Sequence, residues 1–369
     1  MVEPPDERRT RTSLLPTDPT VMKHLGFIGI VLALLCSTFA WSAGWLSPHR
    51  LTQTSMLDAL RAVDGLHPGF RRNHAKGMCV TGWFESNGNA ADLSTASVFR
   101  PGRVPVVGRF ALAGGMPFQA DAPAKVRSMA LRLMPPDGQE WRMGINNIPV
   151  FVARTPQEFH DLLLATRPNP VTGKPDPARV QPFMAAHPDV ARAIGLVGKR
   201  PLTSGFADDT YLSLDTFRFV NTNGTSIPVR WAMVPVTPPS APSPGNGPNY
   251  LFENLITALH QAPLQWHLII TKGEATDPTA DPTLNWPADR PQVDAGTLTL
   301  TSAESEDNGA CTGITYDPMV LPTGITASDD PILPARSAAY MSSFVRRSGE
   351  TKPPSAISPA TASPNGGPS

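Results

Sequence analysis

Proline fills 42 of the 369 positions, about twice its ordinary ~5% share. Each one removes a backbone N–H and fixes φ, so it ends helices and is excluded from central strand ladders. A chain broken this often cannot be a long helical bundle or a helical solenoid, and must be assembled from short elements. Segments 104–112, 125–134, 212–220, 226–235, 265–271 and 296–301 alternate apolar and polar residues as half-buried strands do. Segments 155–165, 176–194, 249–261 and 335–347 read as helices. The first of these carries its own start signal: Thr155 as N-cap, Pro156 in the first turn and Glu158 as capping-box partner. The predicted class is α+β, an antiparallel sheet or barrel with surrounding helices.

Charge removes one class of function. Basic and acidic side chains balance at 31 each, so the chain lacks the electrostatic footprint of a nucleic-acid binder. At 40% hydrophobic it is long and apolar enough to fold around a sizeable core. Cys36, Cys79 and Cys311 have no metal or redox spacing. Cys79 could pair with Cys311 in an oxidising compartment, but a small buried thiol is the expected state.

The N-terminal region is a targeting or anchoring unit. Residues 25–46 hold no charge and are bracketed by Lys23 and Arg50. As a helix this run spans roughly 33 Å, close to the hydrocarbon thickness of a bilayer. Arg8, Arg9, Arg11 and Lys23 precede it, whereas only Arg50 and Arg61 follow closely. That bias keeps the N-terminus inside and the bulk of the chain outside the cytoplasm. A cleaved signal peptide, with Ala40, Ser42 and Ala43 near the cut, is the competing reading, leaving a protein exported to the periplasm. The expected organisation is a cytoplasmic tail (1–23), a transmembrane anchor or signal segment (24–47), one folded unit (48–350) and a disordered Pro/Ser/Ala/Gly-rich tail (351–369). Residues 237–248 read as a loop.

Three places carry chemistry. Arg71-Arg72-Asn73-His74-Ala75-Lys76-Gly77 leads into an apolar strand; His74 there suits a general base at a cavity wall, and equally a surface histidine in a basic loop. Asn146-Asn147 before Pro149 usually makes a turn. Arg336 and Tyr340 are i and i+4 neighbours on one helix face. A guanidinium beside a phenol favours phenolate, a hard anionic ligand suited to ferric iron; an exposed cation–aromatic pair is the plainer alternative.

Taken together and in order, these segments resemble the haem catalases, and within them the short catalase-related peroxidases with an N-terminal export or membrane segment. The similarity runs from about Leu51 to Arg347. It rests on the HAKG around His74, Gly82-x-Phe84, Val107-Gly108-Arg109-Phe110, Asn146-Asn147-x-Pro149-x-Phe151, Asn285-Trp286-Pro287, Tyr316-Asp317-Pro318, Pro322-x-Gly324-Ile325 and Arg336-x-x-x-Tyr340. The resemblance implies a catalase-like antiparallel β-barrel preceded by one transmembrane helix, and haem, of the b type, as cofactor. It implies Tyr340 as iron ligand with Arg336 as charge partner, and His74 and Asn146 as the catalytic pair. It further implies Arg71, Arg109 and Arg347 at the haem propionates, and Phe151 and Phe159 as pocket walls. The expected activity is peroxidase: hydrogen peroxide, with organic hydroperoxides as a further substrate class, reduced through a ferryl intermediate by a small organic donor, with weak catalase activity. A hydroperoxide isomerase of the allene-oxide-synthase type and a membrane-tethered haem carrier or sensor are the alternatives. A homo-oligomer is compatible with the sequence but not specified by it.

Two departures from the family pattern matter. Large catalases usually place a serine after the Arg-Phe pair to orient the histidine; here that position is Ala111, and Asn73 is the expected substitute. The chain also lacks the long threading arm and appended domain of large catalases, which leads us to expect a haem nearer solvent and open to bulky donors.

Overall fold

The computed structural model describes residues 19–42, 51–122, 126–242, 245 and 247–359. Helix α1 (Pro19–Ser42) belongs to an N-terminal unit of its own and has no buried residue. Its mean hydropathy of 2.0 and its length suffice to cross a membrane, as they would for a signal sequence. It starts before the expected span, and residues 43–47 of that span, like most of the 1–23 tail, lie outside the described residues.

The second unit opens with α2 (Gln53–Asp64), a helix the sequence reading missed. A reciprocal cap starts it: Ser55 N–H donates to Thr52 Oγ1 at 3.0 Å, and Thr52 N–H donates to Ser55 Oγ at 2.9 Å. Strands β1 (Gly77–Ser86), β2 (Gly102–Leu112), β3 (Arg127–Leu133) and β4 (Trp141–Asn146) follow as an antiparallel meander. Then come α3 (Pro156–Thr166), α4 (Pro177–Ala186) and α5 (Pro188–Lys199), β5 (Tyr211–Leu212), β6 (Phe217–Val220) and β7 (Ser226–Pro235). The chain continues through α6 (Tyr250–Gln261), β8 (Leu264–Lys272), β9 (Gln292–Glu304), β10 (Ile325–Ala327) and α7 (Ile332–Ser348). Because β7 pairs with β8 as well as with β5, and β9 pairs with both β1 and β8, the sheet closes into an eight-stranded antiparallel barrel. Strands β6 and β10 extend it beyond β7. The α+β barrel expected from the sequence is the observed architecture.

Two predicted elements are split. The 176–194 helix breaks at Pro188, which lacks an N–H and holds His187 at φ −125°, ψ 71°. The 212–220 strand breaks at Leu214, whose φ of +63° no strand can accommodate.

The barrel interior is apolar. Phe110 on β2 packs against Phe206, Tyr211 and Trp266 with ring centroids 5.3, 5.8 and 5.9 Å apart. Met78, Met129, Leu131, Met143 and Ile145 join the same core. Since side chains alternate across a strand, their neighbours face outward. Register then lines these up in two rows: Gly77, Ala111, Ser128 and Asn146 in one, Cys79, Arg109, Ala130 and Gly144 in the other.

Two expectations are corrected here. Cys79 and Cys311 form a disulfide, with Cα atoms 5.3 Å apart and both residues fully buried. Cys79 faces out of the barrel, and the segment after β9 returns Cys311 to it. The predicted disordered tail is packed over residues 351–359: Lys352 pairs with Asp307 and lies 4.6 Å from the Phe70 ring centroid, and Ile357 joins the core. An apolar residue that finds a core site outweighs the composition around it. Residues 360–369 lie outside the described residues.

Replacing Cys79 and Cys311 by alanine, or reducing them, should lower unfolding stability by about 2–5 kcal/mol. Urea titration with and without reductant measures this; coincident curves would contradict it.

Candidate active site

A pocket of about 1240 Å³, counting its solvent-open mouth, lies on the outer face of β2, β3 and β4 and is walled by α7 and parts of α2 and α3. The nine residues to which the resemblance gives a site role line it: Arg71, His74, Arg109, Asn146, Phe151, Phe159, Arg336, Tyr340 and Arg347. Residues drawn from across the chain thus meet in one place.

His74 stands just before β1 with φ +55°, an uncommon conformation for a non-glycine residue. Its surroundings over-determine it. Asn73 Oδ1 accepts from the His74 N–H at 2.9 Å and the Gly114 N–H at 3.0 Å. Lys76, two residues on, is buried with its ammonium donating to Gln119 O, Asp121 Oδ1 and Pro248 O at 2.7, 2.7 and 2.8 Å, so each of its N–H groups has a partner. Asn73, expected to orient the imidazole, is committed to backbone instead. Ser128 Oγ approaches Nδ1 of His74 at 3.0 Å, and Ser128 also donates to Asn146 Oδ1. Burial, reinforced by the charges of Arg109 and Arg336, pushes the imidazole down to about 3 and keeps it neutral. Asn147 points elsewhere: its side chain accepts from Arg127 N–H at 2.8 Å and donates to Asp209 at 2.8 Å. The adjacent amides therefore divide between pocket and scaffold.

On α7, Arg336 Nη2 donates to the Gly144 carbonyl at 2.7 Å and to the Tyr340 oxygen at 3.3 Å, while Nη1 pairs with buried Asp215. Burial opposes the charge of Arg336, and Tyr340 and Asp215 more than offset it. A side chain at 144 would meet Arg336 Nη2 at 3.1 Å and the Tyr340 oxygen at 3.7 Å, so glycine lets the phenol and guanidinium approach the strand closely. Asp330 lies in the same buried group and is pushed up to about 7 by burial and by the neighbouring Asp215.

The third part of the pocket is cationic. Arg109 makes a bidentate pair with Glu306 at 2.6 and 2.7 Å, and Arg71 lies 3.7 Å from the same carboxylate. Arg71 Nη2 donates to the Ile314 carbonyl at 3.0 Å and Arg347 Nη1 to the Thr312 carbonyl at 3.2 Å. Arg71 Nε and Arg347 Nη2 are buried without a hydrogen-bond partner among the described residues. Burial, and after it the neighbouring charge of Arg109, lower Arg71 to about 9. Phe151 and Phe159 complete the wall, ring centroids 5.2 Å apart.

Ser128, Glu306 and Asp215 are pocket or supporting residues that the sequence reading missed. Only cross-strand register exposes Ser128. Glu306 sits in an acidic stretch that reads as solvated surface, and Asp215 lies at the strand break after Leu214.

Chemically, the pocket combines a neutral base, an amide, a phenol paired with a guanidinium, and an excess of positive charge. The catalase family model matches residues 40–353. The chain is 36% identical to a catalase-related peroxidase of Synechococcus elongatus, over 87% of this chain and 96% of that one. It is 31% identical to a catalase-related peroxidase of Mycolicibacterium paratuberculosis, over 81% and 96%. Among solved structures, a fungal catalase superposes with a TM-score of 0.69 at 20% identity, covering 77% of this chain and 60% of that one. Catalase A from Saccharomyces cerevisiae superposes with a TM-score of 0.67 at 20% identity, over 76% and 62%. The chain therefore spans about 60% of the length of those two catalases, but nearly the whole of the two peroxidase relatives. Barrel, pocket and relatives agree: the chain belongs to the catalase family, oxidoreductases that act on peroxide, and stands with its short catalase-related peroxidases.

Proposed function

We propose that the protein is a haem peroxidase that reduces hydrogen peroxide with a small organic electron donor and has weak catalase activity. The observation that carries this is a single pocket with His74 and Asn146 at its strand wall and Tyr340 with Arg336 on α7. The cationic cluster supports the cofactor. Arg71, Arg109 and Arg347 carry three positive charges and Glu306 returns one negative charge, leaving two uncompensated. The two propionates of haem b would balance them, and the orphaned N–H groups of Arg71 and Arg347 are donors awaiting such acceptors. Small residues at 111, 130 and 144 leave room for a flat ring against the strands.

In this reading Tyr340 would hold the iron, the three arginines the propionates, and Phe151 and Phe159 the apolar edge of the substrate space. Haem, when bound, supplies the redox chemistry. The chain supplies proton handling and orientation. His74, held neutral by burial, is ready to take a proton from one peroxide oxygen and return it to the other. Asn146 directs an amide at the same peroxide. Arg336 donates to the Tyr340 oxygen and holds it in place against β4. Helix α1 would tether this domain to a membrane, with the domain outside the cytoplasm; the buried Cys79–Cys311 disulfide favours such an oxidising compartment.

Haem-loaded protein should show a ferric spectrum that changes on adding peroxide, and Tyr340→Phe should alter that spectrum and lower haem affinity at least about tenfold. An unchanged spectrum and affinity would remove Tyr340 from the iron. Dye oxidation should exceed oxygen release at equal peroxide, and dominant oxygen release would overturn the peroxidase reading. Asp330 gives a pH prediction. Its folded pKa, about 7, lies above the ordinary 3.8, so its contribution to stability is complete below pH about 4 and lost as pH rises through about 7. Asp330→Asn should flatten the fall in melting temperature across that window; an unaltered pH profile would contradict the assignment.

A further inference from the structure

Two pocket groups, an imidazole and an amide, can each present either a donor or an acceptor to a substrate, and one hydroxyl touches both. Ala111, Ser128 and Asn146 stand directly opposite one another on β2, β3 and β4. Ser128 Oγ lies 3.0 Å from Nδ1 of His74 and donates to Asn146 Oδ1. A serine hydroxyl has one proton to give. Since the amide oxygen can only accept, that proton is spent on Asn146, and Ser128 can offer His74 nothing but a lone pair. Ser128 therefore favours the tautomer with the proton on Nδ1, in which Nε2 carries none, and the Leu112 carbonyl is a further acceptor for the imidazole. The other arm of the Asn146 amide keeps both its N–H groups.

We infer that Ser128 is the positioning residue for both His74 and Asn146, orienting the amide and, together with the Leu112 carbonyl, biasing the imidazole tautomer through one hydroxyl. This rests on the proposed peroxide chemistry and adds a polarity to it. Hydrogen peroxide offers an acidic O–H on one oxygen and lone pairs on the other. A bare Nε2 beside amide N–H groups matches both. The reversed chain of hydrogen bonds would present an N–H and an amide oxygen, with no base for the proton. The alanine at 111 thus leaves no gap in the orientation of His74, because the hydroxyl has moved across the ladder to β3. Ser128 does not touch the reacting atoms; it acts through the two side chains that do.

The test uses the full haem-loaded chain with cyanide as probe, since hydrogen cyanide binds by surrendering its proton to a neutral base. Ser128→Ala should weaken cyanide binding about tenfold and lower kcat/KM for peroxide about 10–100-fold, the usual loss when an orienting partner is removed. Ser128→Thr, which keeps the hydroxyl, should retain both. Ala111→Ser added to Ser128→Ala should recover part of the loss from the facing strand position. Should Ser128→Ala not fold, Ser128→Cys, of similar shape but a much weaker donor, is read by the same two measurements. Full cyanide affinity and full kcat/KM without the hydroxyl would overturn the inference. His74→Asn, which tolerates the positive φ, separates the two levels. If it abolishes activity while the Ser128 variants change nothing, only the role of Ser128 falls; if it too changes nothing, the peroxide reading falls with it.

Discussion

Everything in this molecule hangs on strand parity across β2, β3 and β4. Alternate side chains must go to opposite faces, and here one face is the dry barrel core and the other is the pocket wall. Phe110, Met129 and Ile145 go inward; Arg109, Ala111, Ser128 and Asn146 go outward. A slip of one residue in β3 would drive Ser128 into the core and Met129 into the pocket. Burial of the large inward residues, each contributing roughly 1.5–3 kcal/mol, therefore fixes the placement of the small polar ones. The apolar core does not touch the chemistry, yet it decides which atoms the pocket receives.

The pocket is expensive to build, and its surroundings show how the cost is met. A left-handed His74 is held by Asn73 and by the fully partnered ammonium of Lys76. Three arginines are crowded together because Glu306 lies between them and backbone carbonyls of residues 311–314 take their spare donors. The Cys79–Cys311 bond pins that same segment to β1. Among the described residues, Arg71 Nε and Arg347 Nη2 still have no hydrogen-bond partner. A folded chain rarely tolerates buried donors of this kind unless something else is meant to satisfy them.

Legibility in the sequence followed the range of the interactions. Tyr340 and Arg336 are one helical turn apart, and His74 sits in a compact motif, so local spacing singled them out as candidates and the order of the family motifs gave them roles. The α3 start was legible because its cap, first-turn proline and partner lie within four residues. Ser128 was not, since alternation tells which face a residue takes but not which residue stands opposite on the next strand. Glu306 and the cysteine pair were missed or misjudged for the same reason: their partners are about 200 residues away. Leu214 carries no glycine or proline to announce its φ of +63°, and so a single predicted strand became two. Ile357 shows the opposite limit, one apolar residue in a tail of disordered composition being enough to anchor it.

The disulfide has a topological meaning beyond rigidity. Cys79 and Cys311 are 232 residues apart, and the loop they close contains β2 through β9 together with all of the helices between them. A protease cut at any one surface turn inside that loop converts the chain into two pieces that remain covalently one molecule. His74, ahead of the loop, and Tyr340, behind it, would stay joined through sulfur even when the peptide backbone between them is severed.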